Sequence, residues 1–416
     1  MERASIRPMQ LAISAVGCAD VSSVAGGTIV KKKIVYVINH AAFFVSHRLP
    51  LAIAAREAGW DVHLLIGQSG SALMEPLAEA ELKRQSVPYT RLSFRTVGFN
   101  PIWELIGMLQ LLWHIARMQP SIVHTASPKG GLYGGLVSRL LRVPGLVVAI
   151  SGMGFLFTGQ ANGLKGMLKR LYSALLAWVC RHPNVTVIVQ NQDDKRTLLQ
   201  SGTVRPSDVI LIPGSGVNLS NYSLARGDES QRLIVLPARL LRDKGVEEFV
   251  TAAKMIKEKG SDWRFALIGT ADYANPSSIP ETQIKAWANS GVVEWWGHRE
   301  DMPIVYAQAD IVCLPSYREG MPKCLLEAAA AGCAVVTSDV IGCREAIIPG
   351  ETGDLVPARE AAALASALHA LISDPDRCQR YGKAGRALAI ARFGLEAVLE
   401  TTLNAYDKLL AGATLR

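Results

Sequence analysis

Lys31-Lys32-Lys33-Ile34-Val35-Tyr36-Val37-Ile38-Asn39-His40 decides the fold. An unbroken apolar run stands between a basic cluster and a polar pair. A run that short and that uniformly apolar suits a strand buried on both faces of a parallel sheet. Downstream, Ser46 to Ala58 reads as a helix closed by Gly59, a residue that takes the left-handed cap at no steric cost. Asp61 to Ile66 reads as a second strand. A helix over 102–117 leads to Ile122-Val123-His124, and Val147–Ile150 and Val185–Val189 are further strands. Strands alternating with helices predict a doubly wound α/β domain.

The pattern then restarts. Leu233-Ile234-Val235-Leu236 is a strand, 245–259 a helix, 263–268 a strand and 284–290 a helix; 292–296, 311–314 and 334–337 are strands again. Two such halves predict an α/β chain of two Rossmann-like domains facing a central cleft, where ligands bind at the carboxyl ends of the strands. The expected spans are 31–205 and 206–383, with the linker in the Pro-, Gly- and Ser-rich stretch 206–222. A long amphipathic helix, about Ala384 to Leu410, fills the segment 384–416 and is expected to pack back on the first domain. Residues 1–30 read as a poorly ordered extension, since Asp20 and Gly26-Gly27 break up the apolar core a secretory leader needs.

The 416 residues are 49% hydrophobic and 19% charged, which excludes a disordered chain. Seven cysteines with no Cys-x-x-Cys pair argue against a disulfide scaffold or a zinc cage and fit a reducing cytosol. The net charge of +8 suits nucleic acid, an anionic membrane or a phosphorylated substrate. Its dispersal along the chain weakens the nucleic-acid reading. The most apolar long stretch, Ile102 to Ala116, is broken by Glu104, Gln110 and His114 and falls short of the ~20 residues that span a bilayer.

The richest chemistry lies in Pro315-Ser316-Tyr317-Arg318-Glu319-Gly320-Met321-Pro322-Lys323-Cys324-Leu325-Leu326-Glu327, closed by Gly332. It follows a buried strand. Pro322 suits a helix start, whose free amides and positive dipole end favour a phosphate. Gly320 permits a tight turn and a close backbone approach. Glu319 sits on the loop and Glu327 about two turns into the helix, roughly 10 Å away at ~1.5 Å per residue. That is too far for a shared proton, and it suits an elongated ligand with hydroxyls at both ends and phosphates between. Arg239 and Lys244-Gly245 follow the strand at 233–236 and are placed to meet a diphosphate.

With these motifs, residues 31–410 resemble the retaining GT-B glycosyltransferases of family 4. Glu319-x7-Glu327, Arg239, Lys244-Gly245, Val340-Ile341-Gly342-Cys343-Arg344-Glu345 and Gly350-Glu351-Thr352-Gly353 carry the likeness. Phe43-Phe44-Val45-Ser46-His47-Arg48, Ser127-Pro128-Lys129-Gly130-Gly131, Gly152-Met153-Gly154 and Gln190-Asn191-Gln192-Asp193-Asp194 narrow it. That narrower group looks like bacterial enzymes that add a hexose or N-acetylhexosamine from a UDP-sugar to a polyprenyl-diphosphate-linked saccharide. The resemblance implies work in O-antigen, capsule or other glycan assembly, on the inner face of the plasma membrane. It implies a UDP-sugar as substrate, and no cofactor, metal or nucleic acid.

By the same resemblance Glu319 holds the donor sugar and Glu327 the ribose. Arg239 and Lys244 hold the diphosphate, and Gly320, Met321 and Leu326 line the donor. The uracil lies near His298 and Arg299. Ser46, His47, Arg48 and Lys129 are the candidate acceptor contacts. Where many relatives carry a first-domain His, this chain has Ala126, so no catalytic role passes to the nearby His124.

Blander readings stand beside these. Asn191, Asp193 and Asp194 also fit a helix cap, and Phe43-Phe44 a core or cleft wall. Lys129 also fits a plain helix-start charge. Asp374-Pro375-Asp376 has the Asp-x-Asp form of a metal site but reads as a turn and cap. The basic-aromatic stretch 164–178, with Lys165, Lys169, Arg170 and Trp178, fits either a membrane-surface helix or a core helix with one basic face. Two competing functions remain: a nucleotide-sugar 2-epimerase, which needs acids and bases around the sugar, and a non-enzymatic membrane or nucleic-acid binder.

Overall fold

The structure, a computed structural model, describes residues 32–69, 74–96, 100–153, 163–222, 232–273 and 275–414. The extension expected at 1–30 lies outside them. The first sheet contains β1 (Lys33–Ile38), β2 (Asp61–Gln68), β3 (Tyr89–Arg95), β4 (Ile122–Ala126), β5 (Gly145–Ile150), β6 (Val185–Val189) and β7 (Val209–Leu211). Their order is β3-β2-β1-β4-β5-β6-β7, all parallel. The second sheet contains β8 (Leu233–Pro237), β9 (Arg264–Ile268), β10 (Glu294–Gly297), β11 (Ile311–Leu314), β12 (Ala334–Ser338) and β13 (Gly353–Val356). Its order is β10-β9-β8-β11-β12-β13, again parallel. These are the two Rossmann-like domains of a GT-B arrangement. Strand order reverses between β1 and β4 and between β8 and β11, so both crevices open at the carboxyl ends of these strands.

Each sheet is covered by helices on both faces, which is why β1 and β8 are apolar without alternation. On the first sheet, one face carries α1 (Ala41–His47), α2 (Leu49–Glu57) and α3 (Met74–Arg84). The other carries α4 (Pro101–Met118), α5 (Pro128–Leu140) and α6 (Gly163–Cys180), with Leu198 of the helix at 192–200 packed on the same side.

Three local departures from the sequence reading have physical causes. The helix expected over 46–58 begins at Ala41 and is two helices with a break at Arg48 (φ −132°). Pro50 has no amide to bond back to residue 46, so the chain turns there. β7 pairs with β6, so the first sheet runs past the boundary expected at 205. The C-terminal helix is two: α13 (Pro375–Arg392) and α14 (Leu395–Thr414). Between them Phe393 O accepts from Val217 N at 2.8 Å and Leu395 N donates to Val217 O at 3.0 Å, a strand-like bridge that no continuous helix allows. Phe393 belongs to the core of the second domain, while Tyr406 and Leu409 belong to that of the first.

α14 is fastened through a buried polar chain. Tyr406 Oη lies 3.1 Å from Tyr36 Oη and 2.5 Å from Nδ1 of His124, which is fully buried on β4. Burial holds the imidazole well below its ordinary 6.5, and the nearby Arg48 charge adds to the effect. Below pH 6.5 the unfolded chain protonates this histidine and the folded chain does not. The unfolded state then binds more protons, and stability falls as pH drops. Urea melts at pH 7 and pH 5 are expected to differ by up to about 2 kcal/mol from this group alone. His124→Phe should shrink the difference by that amount; an unchanged difference would mean the imidazole is not held neutral.

Candidate functional site

β8 and β11 are neighbours, so the loops leaving their carboxyl ends meet. Lys244 Nζ on the first loop donates to Glu319 Oε1 on the second. Both side chains are mostly buried. Ser316 Oγ, fully buried, donates to the same carboxylate oxygen at 2.8 Å and fixes its orientation. Gly245 (φ +71°) follows Lys244 because a Cβ there would stand 2.1 Å from Pro315 O. The charge pair thus rests on a backbone crossing that admits only glycine.

The loop then reaches the first domain. Gly320 is the point of contact, and its φ is not positive. A Cβ on Gly320 would lie 2.1 Å from Ser151 O, and its Cα faces Gly152. The close backbone approach expected of Gly320 is thus present, and it joins the two domains. Asn191, fully buried, donates from Nδ2 to Gly320 O at 2.8 Å. Its Oδ1 accepts from Asp194 N at 2.7 Å and caps α7 (Gln192–Gln200). Arg318 sits 3.5 Å from the buried Asp194, Arg344 3.2 Å from Asp193, and Gln192 N donates to Glu345 Oε1 at 2.7 Å. The 190–194 segment is both a cap and an interdomain seam.

Glu327 lies on α11 (Lys323–Ala330), the helix that Pro322 opens. It accepts from Tyr306 Oη at 3.0 Å and stands 3.4 Å from Lys323. Lys323 also donates to Ser46 O across the cleft at 3.2 Å. Lys323 was missed in the sequence, although it stands at the first helical position, one turn before Glu327. His40 was missed too. It caps α1, and burial lowers its pKa, with Glu75 opposing and Arg239 and Asp272 of the second domain close enough to be felt.

Other expected contacts are placed differently. Arg239 is largely exposed and pairs with Asp272 at 2.9 Å instead of joining Lys244. Met321 and Leu326 point inward, packed on Gly214, so their side chains belong to the core. Arg299 is held by both oxygens of Asp301, at 2.7 and 2.6 Å, and His298 is exposed beyond β10, two strands out from β8. Neither makes a contact with Lys244, Glu319 or Glu327 among the described residues.

Ser46 is exposed at the cleft mouth. His47 stacks on Phe43 (4.6 Å, 12°), and burial pushes its pKa down to about 3. Arg48 is a correction: it is buried behind α1 and faces a pocket of about 20 Å³, lined also by His124, Ser215 and Thr402. Its Nε has no protein partner among the described residues, and the space suffices for one water. Lys129 is another correction. Its ammonium bonds Glu104 Oε1 and Arg95 O, each at 2.7 Å, because a buried carboxylate needs a cation. Asp374 caps α13 through Arg377 N at 2.9 Å. No group of three or more His, Cys, Asp or Glu is placed to hold a metal among the described residues.

A family model described as glycosyl transferase 4-like domain matches residues 47–214, and one described as glycosyl transferases group 1 matches 225–388. The chain belongs to the family-4-like glycosyltransferases. It is 25% identical over 390 residues to the N,N'-diacetylbacillosaminyl-diphospho-undecaprenol alpha-1,3-N-acetylgalactosaminyltransferase of Campylobacter jejuni, covering 90% of this chain and 98% of the relative. Its fold is similar to that of sucrose-phosphate synthase from Thermosynechococcus elongatus (TM-score 0.72, 21% identity, 92% and 100% covered). Anabaena HepE in complex with UDP-glucose is alike (TM-score 0.70, 18% identity, 90% and 99% covered). This membership sets aside the epimerase and the non-enzymatic binder. For this glycosyltransferase, Gly320→Ala is expected to part the domains at Ser151 and lower kcat/KM at least tenfold with an unchanged fold by circular dichroism. Retained turnover would show that the seam is dispensable.

Proposed function

We propose that this enzyme transfers a hexose or N-acetylhexosamine, with retention, from a UDP-sugar to a polyprenyl-diphosphate-linked saccharide. The meeting of Lys244 and Glu319 at the ends of β8 and β11, beside the start of α11, carries the reading. A diphosphate entering there gains the Lys244 ammonium and the positive helix end. Glu319 then accepts from sugar hydroxyls and Glu327 from the ribose. Arg239 must leave Asp272 to reach the phosphates, and its exposure makes that inexpensive.

In the transfer, the bond from the anomeric carbon to the UDP oxygen breaks, and the acceptor oxygen bonds that carbon from the same face. The acceptor proton passes to a donor phosphate oxygen. The protein's part is to position both substrates and stabilise charge developing on the diphosphate. The relative from C. jejuni, named for a diphospho-undecaprenol acceptor, supports the acceptor class. Ser46 and His47, opposite Lys323, are the acceptor contacts retained. A lipid-borne acceptor puts the enzyme at the inner face of the plasma membrane, without a spanning helix among the described residues.

Lys244→Ala is expected to lower kcat/KM by roughly ten- to a hundredfold, since a charge-assisted contact is worth about 1.5–3 kcal/mol. Arg239→Ala, starting from an exposed pair, should cost less. Wild-type turnover in Lys244→Ala would defeat the assignment. Glu319→Gln should lose transfer more than UDP binding, and Glu327→Gln the reverse, as calorimetry with UDP beside transfer kinetics will read. If Glu319→Gln alone abolishes UDP binding, the donor lies the other way round. Because cationic side chains serve the diphosphate, EDTA is expected to leave transfer intact; loss restored by Mg²⁺ would revise the mechanism.

A further inference from the structure

The covering helices of the first sheet are unequal. On one face α14 completes the layer with α1–α3. On the other, α4, α5 and α6 lie side by side, and among the described residues no further helix is layered over them. α4 carries apolar residues on its outer as well as its inner side. Gly107, Leu111 and Ile115, each one turn apart, face the sheet. Leu105, Leu109 and Trp113, at the same spacing, point outward and are each more than half exposed. α6 repeats the arrangement: Leu176 and Val179 are buried, while Leu168, Leu171 and Trp178 are exposed. A helix with apolar residues on its outer as well as its inner side is expected where something other than water covers it.

The charges choose the cover. Glu104 is the sole acidic residue in α4, α5 and α6. It is buried and spent on Lys129 and Tyr133. Besides the neutralised Lys129, the three helices carry Arg117, Arg139, Lys165, Lys169 and Arg170. Arg117 lies 5.3 Å over the Trp113 ring and Arg139 4.3 Å over that of Trp178, so cations border the exposed aromatics. Tryptophan with arginine, on an apolar surface free of exposed carboxylates, matches the boundary between anionic headgroups and acyl chains.

We propose that the outer face of α4, α5 and α6 is a membrane-docking surface, with α4 and α6 lying in the plane of an anionic bilayer. The choice of a membrane as occupant rests on the lipid-linked acceptor proposed above; the apolar, cationic face does not. The stretch Ile102–Ala116, too short to span, thus lies on the bilayer instead of crossing it.

The test is sedimentation with phosphatidylglycerol/phosphatidylcholine vesicles in low salt. The wild type should pellet with them, and far less with phosphatidylcholine alone or in 0.5 M salt, which shortens the screening length severalfold. The double variant Lys169→Glu, Arg170→Glu should bind at least about thirtyfold more weakly. Leu109→Glu should lose binding comparably. All three positions are on the surface, so thermal midpoints should move little.

Trp113→Phe, which keeps an aromatic ring at an exposed position, gives a second reading: quenching by brominated lipid should fall. Wild type that stays in the supernatant, or variants that pellet like wild type, would overturn the proposal. So would a concentration-dependent dimer dispersed by Leu109→Glu without vesicle binding, which would make a second copy the occupant. Transfer to a water-soluble short-prenyl acceptor is followed in parallel. Variants that lose vesicles but keep this transfer support the docking face. Absence of this transfer in the wild type sinks the proposed activity and leaves the vesicle result to judge the surface.

Discussion

The close approach of Gly320 to Ser151 and Gly152 is the contact on which the arrangement of the two domains depends. Here two backbones meet with no side chain between them. Asn191 fixes the contact by giving one amide hydrogen bond to the Gly320 carbonyl while its oxygen caps α7. Arg318, Arg344 and Glu345 spread the seam on either side. Glu319 precedes Gly320, so the carboxylate that meets Lys244 is placed by both domains. Its chain connection is to the second domain, and its loop is shaped against the first. An opening at this seam therefore disturbs the Lys244–Glu319 pair as well as the width of the cleft.

This dependence separates what the sequence discloses from what it conceals. β1 and β8 were legible because burial on both faces writes an uninterrupted apolar run. Lys244 and Glu319 were legible because glycine and proline flank them for stereochemical reasons that act within a few residues. Arg48 and Lys129 were not. Their basic character is evident in the chain, but their surroundings are made by elements far away: α14 behind Arg48, Glu104 of α4 beside Lys129. Met321 and Leu326 likewise became core residues because Gly214, across the domain junction, leaves room for them. β7 is three residues long and too short to carry a periodic pattern. The division of the C-terminal helix at Phe393-Gly394 comes from a bridge to Val217, which local propensity does not contain.

The same long-range logic orders the outside of the first domain. The chain ends by sending α14 back across the junction, and Tyr406 ties it to Tyr36 and His124. That helix covers one face of the first sheet, while Phe393, just before it, sits in the core of the second domain. Because one face is taken by α14, an additional surface must use the other. The layer of α4, α5 and α6 is the one left, and it is the layer from which exposed carboxylates are missing. α5 also begins at Ser127-Pro128, directly after β4, where the first crevice opens. The same helix layer therefore runs from the cationic apolar exterior to the cleft rim. An acceptor whose lipid remains in the bilayer would need its saccharide to travel only along the start of this layer to reach the loop carrying Glu319.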